Sequence, residues 1–235
     1  MKHIICASLM LALAFSCFSQ DSTIRKKDRR KDVMLVTSLG DIVIRLSDST
    51  PLHRDNFLKL VKTHYYDGIL FHRVILQFMV QAGDPNSRNA SAGQGLGNGG
   101  PSYTIPAEFR PSLFHKKGVI AAARTGDKEN PMKASSGSQF YLTQGKKFSD
   151  AGLDSVETYR LKGRKIPADQ REIYKTLGGT PHLDQNYTVF GEVVKGLEDI
   201  DRIAAVPTSK GSADKDRPLE DVKILEAKLI KRHKK

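Results

Sequence analysis

One segment of the chain combines apolar residues with polar side chains that can act on a ligand. In FHRVILQFMVQAGD, residues 71–84, a cation at Arg73 and an amide at Gln81 interrupt a run with the composition of a core. Side chains alternate across a strand, so residues 77–82 divide into two faces: Phe78, Val80 and Ala82 against Gln77, Met79 and Gln81. An apolar surface with a guanidinium and an amide at its rim predicts a binding pocket. The alternative is a barrel strand on which Arg73 makes a surface salt bridge.

Two later segments repeat this combination of apolar and polar residues. In SSGSQFYLTQ, residues 135–144, Gln139 and Tyr141 fall on one face of a predicted strand. In GGTPHLDQNYTVFGEV, residues 178–193, three further candidates stand just before a strand: His182, Leu183 and Tyr187. The three segments together favour the pocket over the surface salt bridge.

Other kinds of chemistry lack their sequence signatures. The chain contains no G-x-S-x-G, H-E-x-x-H, C-x-x-C or Walker motif, and its seven histidines lack metal-ligand spacing. We therefore expect no metal and no cofactor. Gly95, Gly97 and Gly100 match G-x-G-x-x-G. However, PSYTIP follows them instead of the helix N-terminus that a phosphate cradle requires.

Hydrophobic periodicity predicts many short strands and two helices in the body of the chain. Two β-rich runs in 33–46 flank SLGD, which is a hairpin signal. Further strands are predicted in 69–84, 118–124, 138–144, 187–194 and 219–230. Helices are predicted in 49–68, where Ser49 or Thr50 can cap the N-terminus, and in 196–205. Residues 85–102 are rich in Gly, Asn and Ser and predict a long loop.

Residues 146–180 interrupt this pattern with helical spacing. Two stretches are predicted, the first carrying Leu153, Val156 and Tyr159, the second Ile173 and Leu177. We interpret this segment as a helical insertion in a mostly β domain. Many short strands with two helices predict an antiparallel barrel whose mouths the helices close.

The first twenty residues, MKHIICASLMLALAFSCFSQ, predict a signal peptide. They run from a basic end through an apolar stretch, too short for a comfortable membrane span, to small residues; an N-terminal anchor is the lesser alternative. Cys17 follows Ala-Phe-Ser, which resembles a bacterial lipoprotein box and makes Cys17 a lipidation candidate. Cleavage after Ser19 is the other possibility. We expect an exported protein, either in the bacterial periplasm or anchored as a lipoprotein.

Basic residues are spread along the chain, apart from one cluster at each end, RKKDRRK at 25–31 and KRHKK at 231–235. The formal net charge is +12, and only Lys2 is charged in the signal segment, so the remainder keeps +11 (12 − 1). Residues 21–32 predict a flexible basic leader, and 231–235 a basic tail. Such clusters predict solvated tails, so we expect no nucleic-acid partner. We expect a monomer that contacts the membrane only through a lipid at Cys17.

The three motifs, in this order, resemble those of the cyclophilins, the cyclophilin-type peptidyl-prolyl cis–trans isomerases. The resemblance covers residues 33–230, apart from the insertion at 146–180. It implies a closed eight-stranded antiparallel β-barrel capped by two α-helices. It also implies an enzyme that accelerates rotation about X–Pro peptide bonds and binds proline-containing polypeptides.

The resemblance assigns roles position by position. Arg73 stands at the catalytic arginine of the family, and Gln81 at its polar partner. The proline-pocket residues are matched by Phe78, Met79, Tyr141 and Leu183. Gln139 matches an amide near the substrate backbone, while Ala123 and Arg124 fall where the family lines its groove. His72 precedes the arginine as is usual, and the remaining rim positions are His182 and Tyr187.

Several of these positions depart from the common family pattern. Ala82 replaces the first Gly of the usual QGGD, and Tyr141 stands where Phe is common. His182 replaces a frequent Trp, Tyr187 a frequent His and Arg124 a frequent Asn. None removes a residue that the chemistry needs. We expect an isomerase that assists the folding of exported polypeptides; the alternative is a proline-segment-binding chaperone module with incidental catalysis.

Overall fold

The computed structural model describes residues 22–232. The predicted signal peptide, Cys17 and the last three residues of the basic tail lie outside this range, and the predictions made for them stay predictions. Within 22–232, none of the helices combines the length and the apolar character needed to cross a bilayer.

The described chain contains ten strands and four α-helices. The strands are β1 (Lys31–Thr37), β2 (Gly40–Leu46), β3 (Arg73–Ile75), β4 (Met79–Ala82), β5 (Thr104–Ile105), β6 (Val119–Ala122), β7 (Ser135–Ser136), β8 (Phe140–Thr143), β9 (Val189–Lys195) and β10 (Ile224–Lys231). The helices are α1 (Pro51–Lys62), α2 (Asp150–Ser155), α3 (Ala168–Thr176) and α4 (Leu197–Ala204). Every predicted strand segment contains a strand, although β10 begins five residues later than predicted.

Eight strands form one antiparallel sheet in the order β10-β1-β2-β9-β6-β8-β4-β3, and β5 pairs separately with β7. The sheet is an open half-barrel, so the closed barrel implied by the family resemblance is wrong in this respect. Since β3 has only three residues, it forms no ladder with β10. Residues 68–71, which precede β3, and residues 222–224, at the start of β10, instead share a single bridge between Leu70 and Lys223 and three backbone hydrogen bonds.

One face of the sheet packs against α1 and α4 to form the main core. Phe57, Leu60 and Val61 of α1 are buried in it, as their helical spacing predicts. Helix α1 contacts β9 and β10, whereas α4 contacts β2, β3 and β4. The two helices therefore cover different parts of the sheet.

The N-terminus of α1 is satisfied from a distant part of the chain. Thr50 is the N-cap residue, but its side chain makes no capping hydrogen bond. The carboxylate of Glu108 accepts hydrogen bonds from the backbone nitrogens of Leu52 (3.3 Å) and His53 (3.0 Å). A negative charge at a helix N-terminus also complements the helix dipole. Glu108 thus performs the capping that local sequence assigns to Ser49 or Thr50.

The leader predicted over 21–32 differs from expectation in the residues that the structure describes. Ile24 packs against the main core, and Asp28 is buried in a short 3₁₀-helix. Arg29 forms a salt bridge with Asp55 of α1 at 2.8 Å. Residues 31 and 32 already belong to β1. Ile24, Asp28 and Arg29 therefore hold this segment against the domain, while most of its other basic side chains are exposed.

The insertion at 146–180 is helical, as predicted. Helix α2 continues into a π-helical turn at Val156–Arg160, and α3 follows. Four buried residues form its own small core: Leu153, Leu161, Ile166 and Tyr174. Tyr159 is 80% exposed and Leu177 is 39% exposed, so these two of the residues with helical spacing lie outside this core.

Backbone pairing at Gly178 and Gly179 returns the insertion to the sheet. Gly179 exchanges two hydrogen bonds with Lys146, at 3.0 and 3.2 Å, and Lys117 donates to the Gly178 carbonyl at 2.9 Å. Gly178 has φ +94°, and an added Cβ would lie 2.8 Å from the Lys146 carbonyl. This crossing therefore requires glycine both for conformation and for space.

Gly178→Ala should lower the free energy of unfolding by roughly 2 kcal/mol or more, because left-handed backbone strain and overlap with Lys146 add together. Gly163→Ala is the matched control, since Gly163 has φ +89° but nothing lies within 4 Å of its added Cβ. In the control, the free energy of unfolding should fall only by the cost of backbone strain, about 1–2 kcal/mol. Urea denaturation measures both, and equal losses would contradict the role assigned to the crossing.

Candidate active site

The face of the sheet opposite the main core carries most of the predicted site. Arg73 on β3 is paired with Gln81 on β4, and Gln81 in turn with Tyr141 on β8. Paired residues on one face of a sheet are direct neighbours. A second apolar cluster lies on this face, with Met79, Val119, Ala121, Tyr141 and Val189 buried in it. The strand register therefore brings the cation, the amide and an apolar surface together.

Phe78 is placed differently from what strand alternation predicts. It packs with Met79 in the second cluster, and not with Val80 and Ala82 in the main core. The strand begins only at Met79, because Gln77 adopts a left-handed conformation with φ +60° and the Phe78 nitrogen bonds the Ile75 carbonyl at 3.1 Å. Alternation does not hold across such a turn. Two consecutive residues, Phe78 and Met79, thereby face the same cavity.

A cavity of about 310 Å³ opens on this face. Ten of the twelve predicted site residues line it: His72, Arg73, Phe78, Met79, Gln81, Ala123, Arg124, Tyr141, Leu183 and Tyr187. The other two border it, because His182 stacks on Phe78 at 5.6 Å and Gln139 hydrogen-bonds Gln81. Sequence reasoning missed the parts of the wall that come from two loops, around Leu96 and residues 213–217.

Arg73 extends into this cavity with 43% of its side chain exposed. Its Nε lies 3.8 Å from Oδ2 of Asp216, which is an ion pair longer than a hydrogen bond. The backbone carbonyl of Asp216 also accepts a hydrogen bond from the backbone nitrogen of Val74 at 2.8 Å. The guanidinium is thus oriented by one carboxylate while its N–H groups remain available for a ligand.

The side chain of Gln81 contacts Gln139 and His72 and makes no hydrogen bond to Arg73 among the described residues. Its Nε2 donates to Oε1 of Gln139 at 3.1 Å and lies 3.5 Å from Nε2 of His72. Gln139 in turn donates to the carbonyls of Gly97 and Gly99, each at 2.8 Å. The expectation that Gln81 orients Arg73 therefore has no hydrogen bond to support it. Gln81 and Gln139 instead link the sheet to the glycine-rich loop.

The glycine-rich loop, residues 85–102, folds back onto the site. The carboxylate of Asp84 accepts hydrogen bonds from the backbone nitrogens of Asn86, Gly97 and Gly99, between 2.6 and 3.2 Å. Arg217 donates to the carbonyls of Ser91 and Gln94. Asp84 is the N-cap residue of a 3₁₀-helix at Pro85–Asn89.

The floor of the cavity is fixed by a chain of buried hydrogen bonds. Nε2 of His115 lies 2.9 Å from the Tyr141 hydroxyl oxygen. Nδ1 of His115 lies 3.0 Å from Asp184, whose second oxygen accepts from the Tyr174 hydroxyl at 2.8 Å. Burial raises the pKa of Tyr141 well above its usual value, so the hydroxyl keeps its proton. Tyr174 belongs to α3, so this chain connects the insertion to the pocket.

Sequence reasoning missed His115, Asp184 and Tyr174. One signal was available, because a Tyr in a pocket position where Phe is common brings a hydroxyl that must find a partner when buried. The identity of that partner depends on contacts across 26 residues to His115, which periodicity does not reveal.

The opposite rim is formed by Leu183, His182 and Tyr187. Leu183 ends a 3₁₀-helix at Pro181–Leu183, and Tyr187 packs edge-on against Tyr141 at 6.0 Å. The guanidinium of Arg124 lies 4.5 Å above the Tyr187 ring, in cation–π contact. Arg124 therefore lines the cavity while it is packed over the Tyr187 ring.

Two histidines of the site are uncharged at neutral pH. Burial is the main cause that lowers the pKa of His72 to about 4, and the neighbouring Arg73 lowers it further. Burial likewise lowers the pKa of His182 to about 4, with Arg160 contributing in the same direction. Neither ring is therefore charged at neutral pH, which suits residues that shape the pocket.

The fold and the site define a half-barrel whose outer face carries a cavity with an apolar floor and with Arg73, Gln81 and Gln139 at one edge. Residues 33–229 match the family model for cyclophilin type peptidyl-prolyl cis-trans isomerase/CLD. The chain belongs to this family, and it is a peptidyl-prolyl cis–trans isomerase.

Similar proteins agree with this assignment. The chain is 36% identical over 197 residues to peptidyl-prolyl cis-trans isomerase-like 3 of Gallus gallus, covering 82% of this chain and 91% of that one. It is 36% identical over 198 residues to a longer Streptococcus pyogenes protein whose name combines a phosphatase with a peptidyl-prolyl isomerase; the match covers 82% of this chain and 37% of that protein. A Cryptosporidium parvum cyclophilin structure shares the fold, with a TM-score of 0.62 and 23% identity over 86% of this chain and 99% of that one.

Isomerisation of a neutral X–Pro peptide should be independent of pH between about 5.5 and 8, because both site histidines stay uncharged there. Stability should behave differently. Below about pH 6.5 His72 is protonated in the unfolded chain, whereas in the folded chain it is protonated only near pH 4. The free energy of unfolding therefore decreases as the pH is lowered from about 6.5 to about 4. For His72 the slope is up to about 1.4 kcal/mol per pH unit. A pH–rate profile with an inflection near 6.5 would contradict the uncharged assignment.

Tyr141→Phe should reduce the free energy of unfolding by about 1–3 kcal/mol, because it leaves Nε2 of the buried His115 without a partner. Tyr187→Phe is the control, since its hydroxyl makes no hydrogen bond among residues 22–232, and it should cost far less. Combining Tyr141→Phe with Tyr174→Phe should give a non-additive loss in urea denaturation, as expected for members of one network. Strict additivity would show that the two ends of the chain are independent.

Proposed function

We propose that this isomerase acts on proline-containing segments of exported polypeptides and that Arg73 is its catalytic residue. The single observation that carries the proposal is the position of Arg73, which is 43% exposed at the rim of the cavity and has its paired carboxylate, that of Asp216, at 3.8 Å, beyond hydrogen-bond distance. Phe78, Met79, Tyr141 and Leu183 form the proline-binding surface.

The reaction requires only that the twisted amide be favoured over both planar forms. Amide resonance gives a rotational barrier of about 18–20 kcal/mol, and uncatalysed X–Pro bonds isomerise in roughly tens to hundreds of seconds. Twisting ends the conjugation and returns a lone pair to the proline nitrogen. A group that donates a hydrogen bond to that nitrogen therefore stabilises the transition state more than the ground state.

The guanidinium of Arg73 supplies such a donor. It is charged at all relevant pH values and presents several N–H groups in a fixed plane. Asp216, at 3.8 Å, orients the guanidinium but leaves its N–H groups available to the substrate, since this separation is too long for a strong hydrogen bond. A proline ring on the apolar surface excludes water from one side of Arg73, which strengthens its interaction with the amide.

Gln81 and Gln139 bind the backbone of the substrate. Their mutual hydrogen bond fixes both amide planes, and the bonds from Gln139 to Gly97 and Gly99 hold the adjacent loop. Ala123 and Arg124 line the same edge of the cavity. An extended peptide laid along this edge places its X–Pro bond beside Arg73.

Export rests on residues 1–20, whose basic start, apolar run and small residues have the order of a signal peptide. Bacterial clients in the cell envelope follow from that location. Acylation at Cys17 and cleavage after Ser19 are two versions of the same proposal. The mass of the mature N-terminal peptide distinguishes them.

Arg73→Ala should lower kcat/KM for a short X–Pro peptide by roughly 100- to 1,000-fold, by analogy with removal of a single transition-state donor. A protease-coupled assay measures the rate, and circular dichroism checks that the fold persists. Arg73→Lys should restore only part of the activity, because a point charge lacks the planar set of donors. Arg30→Ala, at an exposed arginine outside the cavity, is the control and should have no effect.

An Arg73→Ala variant with full activity would overturn the mechanism. If wild-type protein shows no turnover but still suppresses aggregation of an unfolded proline-rich protein, the chaperone module is the better description.

A further inference from the structure

A second cleft, which we call the basic cleft, adjoins the proline pocket. It has a volume of about 580 Å³ and lies between the loop at 124–133 and the segment 160–164 of the insertion. Arg124, Leu183 and Tyr187 line both this cleft and the proline cavity. The two spaces are therefore continuous across the rim formed by Leu183 and Tyr187.

Positive charge dominates the walls of the basic cleft. It is lined by five cations, namely Arg124, Lys133, Arg160, Lys162 and Arg164, and by two acids, Asp127 and Asp184. Asp127 is paired with Arg124 at 2.7 Å. The carboxylate of Asp184 is buried and bonded to His115 and Tyr174, and it forms no salt bridge with a cation of the cleft. Four cations of the cleft consequently form no salt bridge among residues 22–232.

The four remaining cations are held by neutral groups or by none. Lys133 donates to the side-chain oxygen of Asn186 at 2.6 Å, and Arg164 donates to the backbone carbonyl of Asp184 at 2.7 Å. Arg160 and Lys162 are exposed and make neither a salt bridge nor a hydrogen bond within residues 22–232. Neutral acceptors orient a cation but leave its charge to act on a ligand.

The other side of the insertion shows the opposite arrangement. Arg171 forms salt bridges with Asp150, Asp154 and Glu157 at 2.8 to 3.1 Å. Lys165 pairs with Glu157 at 2.7 Å, and Lys175 with Asp150 and Glu172 at 2.9 Å. The insertion thus pairs Lys165, Arg171 and Lys175 with acids, whereas Arg160, Lys162 and Arg164, which line the cleft, form no salt bridge within residues 22–232. This asymmetry points to an anionic ligand on the cleft side.

We propose that the basic cleft binds an acidic side chain of the client polypeptide, located within a few residues of the proline. The proposal rests on the proposed function, because the cleft is reached by a peptide that already occupies the proline pocket. An extended chain advances about 3.3 Å per residue, so a residue one to four positions from the proline reaches the cleft after crossing Leu183 and Tyr187. The insertion then selects isomerase substrates by charge.

Paired peptides test the proposal. Each pair carries Glu or Gln at one flanking position of an Ala–Pro bond, and kcat/KM is measured for both members by the protease-coupled assay. At least one position on one side of the proline should give a Glu-to-Gln ratio of about five or more at low salt. The ratio should fall toward one at high ionic strength, since exposed charges are screened beyond about 3 Å at 1 M salt.

A double variant, Arg160→Gln with Lys162→Gln, should reduce the Glu-to-Gln ratio at that position by at least threefold. Lys59→Gln with Lys195→Gln is the matched control, because it removes two exposed charges that line neither cavity, and it should keep the wild-type ratio. Circular dichroism confirms that both variants are folded. A loss of kcat/KM that is equal for the Glu and Gln peptides would overturn the proposal.

The outcomes separate the two proposals. A ratio near one at every position, with normal turnover of the Gln peptides, would overturn the acidic-client inference and leave the proposed function intact. Absence of turnover with every peptide would overturn the proposed function itself. Competition by a short RNA that depends on Arg160 and Lys162, without any Glu preference, would assign the cleft to nucleic acid and overturn the inference.

Discussion

The antiparallel register of β3, β4 and β8 is the constraint on which the site depends. Side chains alternate across a strand, so burying Val80 and Leu142 in the main core places Arg73, Gln81 and Tyr141 on the opposite face. A shift of one residue would exchange the two faces and remove both the core and the pocket. The fold and the site therefore depend on the same strand register, so the packing of the core also fixes the positions of Arg73, Gln81 and Tyr141.

The sheet provides only one wall of the pocket, and loops complete it through buried polar contacts. Asp84 and Gln139 hold the glycine-rich loop beside the site, each through hydrogen bonds to Gly97 and Gly99. Asp184 holds the other side, since it links the pocket floor to the insertion. Buried polar groups of this kind are costly to leave unpaired, which gives each loop a defined position. The insertion consequently helps to hold the floor of the pocket in place and also lies beside the pocket.

Local sequence reasoning failed where the chain leaves regular structure or where a distant residue intervenes. The turn at Gln77 breaks the alternation that placed Phe78 on the face of Val80 and Ala82. Glu108 caps α1 in place of the local hydroxyls, across more than fifty residues of sequence. The closed barrel was inferred from resemblance, while the short β3 leaves the sheet open.

The sequence alone determined the strand segments, the two capping helices, the helical insertion and the identities of the residues around the cavity. The elements follow from periodicity, which is a local property, and the site residues follow from the family resemblance that the three ordered motifs carry. Only the tertiary structure decided that Gln81 bonds Gln139 instead of Arg73, that Asp216 lies beside the guanidinium, and that unpaired cations line one side of the insertion. Such contacts depend on the relative placement of segments far apart in the chain, which hydrophobic pattern does not encode.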